Sequence, residues 1–285
     1  MSKLNMALNR RHFALGGAAA LLAANIGPAK AAGLLEEIKK RGKVVVATEA
    51  AFEPFEFVLD GKIVGYNMDI LAVVIEALGV QMEQLNLPYQ GILPGLLAKK
   101  FDFVATSNGI NAERVKKYAY TRPTGSYETV IVVRHDDDRV KTLDDLNGLV
   151  VASQLASSVQ PILEAHNAEL KAKGGAGYAE IKLFTAFPEV HIALASGQVD
   201  AIAIASPSAA VLMKNVPDTY KVATQIGQSD YLCWLTRPED LDLRDFINAR
   251  IDELNDQGKL KELQMKWFGF EMKTPKEGYL PAGAF

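Results

Sequence analysis

"LLAKKFDFVATSNGINAER", residues 96–114, has a partial echo in "LASGQVDAIAIASPSAA", residues 194–210. Both stretches read as a helix end, a tight turn, an aspartate and an apolar strand. Setting Asp102 on Asp200, 98 positions apart, puts Leu96 on Leu194, Phe101 on Val199, Val104 on Ile202 and Ala105 on Ala203. Each copy would be a helix packed on a strand, with the chain emerging at the strand's carboxyl end. Ligands of open α/β sheets sit outside those ends. Two such units facing each other would therefore enclose a cleft.

The flanking sequence continues the pattern. "LLEEIKKRG" (34–42) predicts a short helix stopped by Gly42, and "KVVVAT" (43–48) a β-branched strand. In "GYNMDILAVVIEALGV" (65–80), Ile70, Val73, Val74, Ala77 and Leu78 recur at helical spacing, with Asn67 as the expected N-cap and Gly79 as the stop. "GILPGLLAKK" (91–100) predicts a helix with Pro94 near its start. A second α/β series runs from "LVVAS" (149–153) through a helix from Ser157 or Ser158 to about Ala172, the strand "IKLFTA" (181–186), a helix from about Pro188, and the strand ending at Ala205. Strands at "TVIVVR" (129–134) and "SDYLCWLTR" (229–237) and two C-terminal helices, with Phe246, Ile247, Ile251 and Leu254 on one face, complete the reading. Beyond Met272, Pro275, Pro281 and small residues predict a loosely held tail.

The first 31 residues have the parts of an export signal: a leader without acids, the small apolar run Phe13–Gly27, and the cleavage pattern Ala29-Lys30-Ala31. Arg10-Arg11 followed by Phe13 fits the twin-arginine type, with cleavage expected after Ala31. Loss of Lys3, Arg10, Arg11 and Lys30 takes 31 bases to 27 against 34 acids, a net charge of −7. That charge offers no basic field to nucleic acid or to an anionic bilayer. The remaining length suits two lobes better than one small core. Cys233 is the only cysteine, which rules out an intrachain disulfide, and its setting in "YLCWL" reads as a small buried hydrophobe.

The sequence contains no HExxH, CxxC, P-loop or Gly-x-Ser-x-Gly, and no GxGxxG following a strand; His12, His135, His166 and His191 are scattered. No catalytic residue, metal site or cofactor is expected. Polar residues gather instead at strand ends: Glu49 after "VVVAT", Thr106, Ser107 and Asn108 after "FDFVA", and Asn111 as the expected N-cap of a helix carrying Arg114 in its first turn. A cation in that turn opposes the helix dipole. Two readings account for it: a guanidinium fork awaiting a carboxylate, or a structural ion pair with an acid such as Glu49 or Glu113.

In their order and spacing these pieces resemble the bacterial extracellular solute-binding proteins of the polar amino-acid type, family 3, which serve ABC importers. The resemblance covers 34–272. It is carried by "ATEAAFEPFEFVLDGKIVGYNMDILAVVIEALG" (47–79), "YQGILPGLLAKKFDFVATSNGINAERVKKYAYTRP" (89–123) and "LKELQMKWFG" (260–269). It implies an α/β, two-lobed periplasmic-binding-protein fold of type II, a Venus-flytrap clamp. One lobe would hold 34–129 plus 228–285 and the other 130–227, joined by crossings near Thr129 to Val132 and Ile226 to Tyr231. Ligand would close a monomeric periplasmic protein, and the closed form would dock on an inner-membrane ABC permease.

The resemblance also implies contacts. Phe52 and Tyr89 match aromatic positions that sandwich the ligand, and Thr106, Ser107 and Gly109 match the polar turn beside it. Arg114 matches the arginine that grips the α-carboxylate, and Ser157 and Ser158 match hydroxyls at a helix N-terminus that share it. Glu49 matches an acidic position that meets the ligand's far end. Ala205 departs from the family, whose amino-acid binders carry there an Asp for the α-ammonium. Asn111 and Arg122 depart as well, standing where Thr and Asp are usual. Three ligands remain open: an amino acid whose ammonium Glu49 takes over, a carboxylate without a free α-amine, and a substituted amine caged by Phe52 and Tyr89. All are small, carboxylate-bearing and, for the most part, nitrogen-containing solutes. Two other functions remain in view, a cyclohexadienyl dehydratase-like enzyme acting on arogenate or prephenate with Glu49 as its acid, and a ligand-sensing module for a membrane partner.

Overall fold

The structure, a computed structural model, describes residues 33–285. The predicted export signal, with its arginine pair and cleavage point, lies outside the described residues. Helix α1 (Leu34–Arg41) ends on Gly42 at φ 68°, a left-handed stop that costs glycine little, and leads into β1 (Lys43–Thr48). Short strands β2 (Ala51–Phe52), β3 (Glu56–Leu59) and β4 (Lys62–Val64) form a three-stranded antiparallel sheet. Then come α2 (Tyr66–Leu78), β5 (Gln81–Asn86), α3 (Tyr89–Leu97), β6 (Phe103–Gly109), β7 (Ala119–Tyr120) and the long β8 (Gly125–Arg134). The second series is β9 (Val150–Gln154), α4 (Val159–Ala172), β10 (Glu180–Phe184), α5 (Phe187–Ala195), β11 (Ala201–Ala205) and α6 (Ser206–Asn215). The 17-residue β12 (Tyr220–Thr236), α7 (Leu241–Asp256) and α8 (Lys259–Trp267) follow.

Among the described residues, nine strands make one mixed sheet in the order β10-β9-β11-β8-β12-β6-β1-β5, with β7 alongside β12. Parallel α/β sets stand on both flanks, β6-β1-β5 on one side and β11-β9-β10 on the other. The antiparallel pair β8 and β12 runs between them. The pair is irregular in its middle: the step from Ile226 to Asp230 on β12 faces only Thr129 to Tyr127 on β8, around Gly227 at φ 76°. Such a bulge bends and twists a strand pair.

The sequence echo is a real structural repeat. Asp102 accepts the Val45 N–H at 2.7 Å and returns its own N–H to the Val45 carbonyl at 2.8 Å. Asp200 does the same with Val150, at 2.9 Å in each direction. Each aspartate also pairs with an arginine, Arg41 for Asp102 and Arg139 for Asp200. The tight turns before them hold Lys99 at φ 56° and Gly197, 98 positions on, at φ 74°. A second arginine caps each turn: Arg237 donates to the carbonyls of Leu96 and Phe101, and Arg134 to those of Leu194 and Val199. Those are the residue pairs that the sequence alignment superimposes. Buried carbonyls need such donors, since leaving one unpaired costs on the order of 1–3 kcal/mol.

Four local expectations change. Helix α2 begins at Tyr66 behind Gly65, so Asn67 is inside its first turn and buried, with its side chain turned to Glu56, Ser107 and Trp234. Helix α3 starts at Tyr89, which places Pro94 in its interior. Residues 112–117 form turns, with no helix for Arg114 to occupy, although Asn111 Oδ1 does accept the Glu113 and Arg114 N–H groups at 2.9 and 3.2 Å. The tail after Met272 is docked: Tyr279, Leu280 and Ala284 pack on the apolar cluster of Tyr89, Leu93 and Tyr120, and Arg122 reaches the Lys276 carbonyl. Arg122 pairs with Asp252 as well, so it holds the tail and α7.

Candidate ligand-binding cleft

The strand ends on the two flanks meet in one cavity. It is lined by Glu49, Phe52, Tyr89, Ser107, Gly109, Tyr127, Gln154, Ser157, Ser158, Val159, Phe187, Ala205 and Leu232. Eight of the ten residues expected from sequence are in this set: Glu49, Phe52, Tyr89, Ser107, Gly109, Ser157, Ser158 and Ala205. The two others stand behind the wall. Thr106 turns its hydroxyl to the Glu56 carboxyl. Arg114 lies on the far side of Tyr89, where Nη1 donates to the Tyr89 hydroxyl at 3.0 Å and Nη2 to the Ala156 carbonyl at 2.6 Å. Among the described residues neither Glu49 nor Glu113 pairs with it; Glu113 pairs with Lys116 at 2.6 Å.

The cavity is about 30 Å³, room for one or two waters. Three contacts hold the walls together. Phe52 stacks on Phe187 with ring centroids 4.8 Å apart, Gln154 Nε2 donates to Glu49, and Arg114 reaches across to Ala156. Gly109 is required where the backbone passes Tyr127 and Ser158, because a Cβ there would collide with both hydroxyls.

One buried acid lines the cavity and a second stands behind it. Glu49 is 3% exposed, and burial, reinforced by the nearby Glu56 charge and offset by the Gln154 hydrogen bond, pushes its carboxyl up to about 8. Glu56, fully buried behind Ser107, is also pushed up to about 8 by burial, against hydrogen bonds from Thr106, Asn67 and the Ser107 N–H. The N-terminus of α4 also lines the cavity, with Ser158 in the cap position, making no cap hydrogen bond, and its hydroxyl 3.3 Å from that of Tyr127. The Ser157 hydroxyl is buried there without a hydrogen-bond partner. Free N–H groups at a helix start favour an anion.

Five lining residues were not expected: Tyr127, Gln154, Val159, Phe187 and Leu232. Gln154 ends β9 and Glu49 directly follows β1, so the strand-end rule applied to "LVVASQ" would have named it. Tyr127 and Leu232 come from the central strand pair and carry no local signal.

A mixed sheet with an α/β set on each flank and a cleft where their strand ends meet defines a type II periplasmic-binding-protein fold, a Venus-flytrap clamp. The chain belongs to the bacterial extracellular solute-binding proteins, family 3, whose model matches residues 44–270. It is similar to the L-cystine-binding protein TcyJ of Escherichia coli (strain K12), 28% identical over 84% of this chain and 88% of that protein. Among solved structures it resembles a mutant of ArgBP from T. maritima, with TM-score 0.73 and 33% identity over 82% of this chain and 99% of that one. It also resembles an ancestral amino acid-binding protein, AncCDT-1, described as a precursor of cyclohexadienyl dehydratase, with TM-score 0.74 and 28% identity over 82% and 99% of the two chains.

Proposed function

We propose that this chain is the periplasmic binding component of an ABC importer, carrying an amino acid or an amino-acid-like carboxylate to a membrane permease. The observation that carries the reading is a cleft lined both by a buried acid with no cationic partner, Glu49, and by an anion-favouring helix start with a partnerless Ser157 hydroxyl. Phe52, Tyr89 and Phe187 supply apolar walls. Arg114 would support the carboxylate end from behind Tyr89 and Ala156. The clamp would divide into lobes at 34–129 plus 228–285 and 130–227, hinged at the β8–β12 bulge. Because the cavity holds no more than water, a solute would enter only after the flanks part, replacing the Phe52–Phe187 and Glu49–Gln154 contacts by its own. A ligand shifts such an equilibrium only through contacts to both flanks.

Titration calorimetry of the monomeric protein against amino acids, cystine, arginine and glutamine included, and against matched carboxylates tests this. Saturable binding by at least one, weakened by Glu49→Gln and by Arg114→Ala, is expected. No binding by any of them would refute it. The raised Glu49 carboxyl favours one further reading, since an acid protonated at neutral pH can act as a general acid. The dehydratase alternative then requires turnover of prephenate or arogenate, and we expect none; measurable turnover lost in Glu49→Gln would establish the enzyme instead.

A further inference from the structure

Two buried hydroxyls near the cleft have no partner, Ser157 Oγ and Thr129 Oγ1. Buried polar groups are almost always paired, so each orphan needs an explanation. Ser157 lines the cavity. Thr129 is 1% exposed and is the direct cross-strand partner of Ala205 in the β8–β11 ladder. Paired residues on neighbouring strands project to the same face with Cβ atoms about 5 Å apart. Tyr127, two residues earlier on β8, shares that face by strand alternation and lines the same cavity. The acid between them, Glu128, projects to the opposite face, where it is tied to Ser206 and Ser229. The strand face that Ala205 shares with Thr129 therefore offers a free hydroxyl and turns Glu128 away.

We infer that Thr129, beside the Ala205 methyl, and Ser157, on the same cavity, form a neutral subsite that selects a ligand whose α-substituent is uncharged and hydrogen-bonding, a 2-hydroxy or 2-acylamido acid in place of an α-ammonium acid. The inference rests on the amino-acid-like reading above and names the ligand class within it. A hydroxyl or amide group reaching this wall satisfies both orphans. An ammonium reaching it gains two neutral acceptors and loses its water, which is a poor exchange for a full charge. The charged recognition is left to Glu49.

The test is calorimetry with three acids that share one cationic side chain: L-arginine, its 2-hydroxy analogue, and 5-guanidinopentanoate, which has no α-substituent. The 2-hydroxy acid should bind roughly tenfold tighter than arginine, and Thr129→Val and Ser157→Ala should each weaken it about fivefold, the scale of one neutral hydrogen bond. Binding of 5-guanidinopentanoate should not change in Thr129→Val, a selectivity that a merely structural role for Thr129 would not produce. Thr129→Val keeps the side-chain shape and removes an unpartnered hydroxyl, so its Tm should not fall. Tightest binding by arginine, or variants that leave the preference intact, would overturn the inference while leaving the solute-binding reading standing. Failure of every amino acid and carboxylate to bind would overturn both.

Discussion

The Glu49 carboxyl makes capture of a cationic group pH-dependent in a calculable way. In the ligand-free protein its pKa stands at about 8, raised mainly by burial. A guanidinium or ammonium placed against it binds the ionised form, so at lower pH the ligand must first expel a proton. One pKa unit corresponds to about 1.4 kcal/mol. At pH 7 about a tenth of the molecules carry the ionised acid, and at pH 6 about a hundredth, so the apparent Kd for a cationic ligand should rise about tenfold per unit below pH 8. About one proton should be released per ligand bound at pH 6, falling towards none above pH 9. Calorimetry in two buffers of different ionisation enthalpy counts that proton, and repeating it from pH 6 to pH 9 traces the slope. In Glu49→Gln the slope and the proton release should both vanish, because the amide does not titrate. A flat Kd between pH 6 and pH 8 in the native protein, or an unchanged slope in the variant, would refute the assignment of Glu49 as the cation's partner.

The same two acids govern the empty protein. Glu49 and Glu56 have folded-state pKa values raised from 4.5 to about 8, so the stability they allow is complete below about pH 4.5 and is lost as pH rises through about 8. Thermal melts of the ligand-free protein should show Tm falling from pH 5 to pH 9, with a shallower fall in Glu56→Gln; a Tm that rises with pH contradicts this sign. Arg237→Ala should lower stability by about 3 kcal/mol in urea unfolding, since it strands the Leu96 and Phe101 carbonyls and the buried Asp240. Arg134→Ala, the equivalent change in the second copy, should cost about 2 kcal/mol, and a negligible effect would mean that the repeated cap is ornamental. Cys233 is fully buried and its thiol is pushed well up by burial, so thiol reagents should label it only after unfolding. Ala205→Asp should shift the cleft's preference towards ligands with a free α-amine, read as a reversal in the arginine against 2-hydroxy comparison.

The Asp102–Asp200 echo was legible because it is local: a helix end, a left-handed turn and an aspartate that bonds the next strand are written in adjacent residues, and the chain repeats them wherever that junction is built. Strand-end polarity located Glu49 and Ser107 for the same reason, since a strand's carboxyl end is fixed by its own hydrophobic run, whereas Ser157 and Ser158 were implied by the family resemblance. The misreadings at Asn67 and around Arg114 were also local in origin. Each position has good capping chemistry, and each was decided by distant partners, Asn67 by Glu56 and Trp234 and Arg114 by Tyr89 and Ala156.

What the sequence determined by itself was the α/β series and its internal repeat, which follow from short-range pattern, while most of the residues at the cleft and the missing charge at Ala205 were implied by the family resemblance. Tertiary structure alone decided the rest: that Gln154 faces Glu49 across 105 positions, that Phe187 stacks on Phe52, that Thr129 stands opposite Ala205, and that burial beside Glu56 leaves Glu49 a proton at neutral pH. Those properties arise from which surfaces the β8–β12 pair brings together and how much water is excluded between them. Sequence spacing carries neither quantity, because pairing and desolvation exist only once the chain has closed on itself.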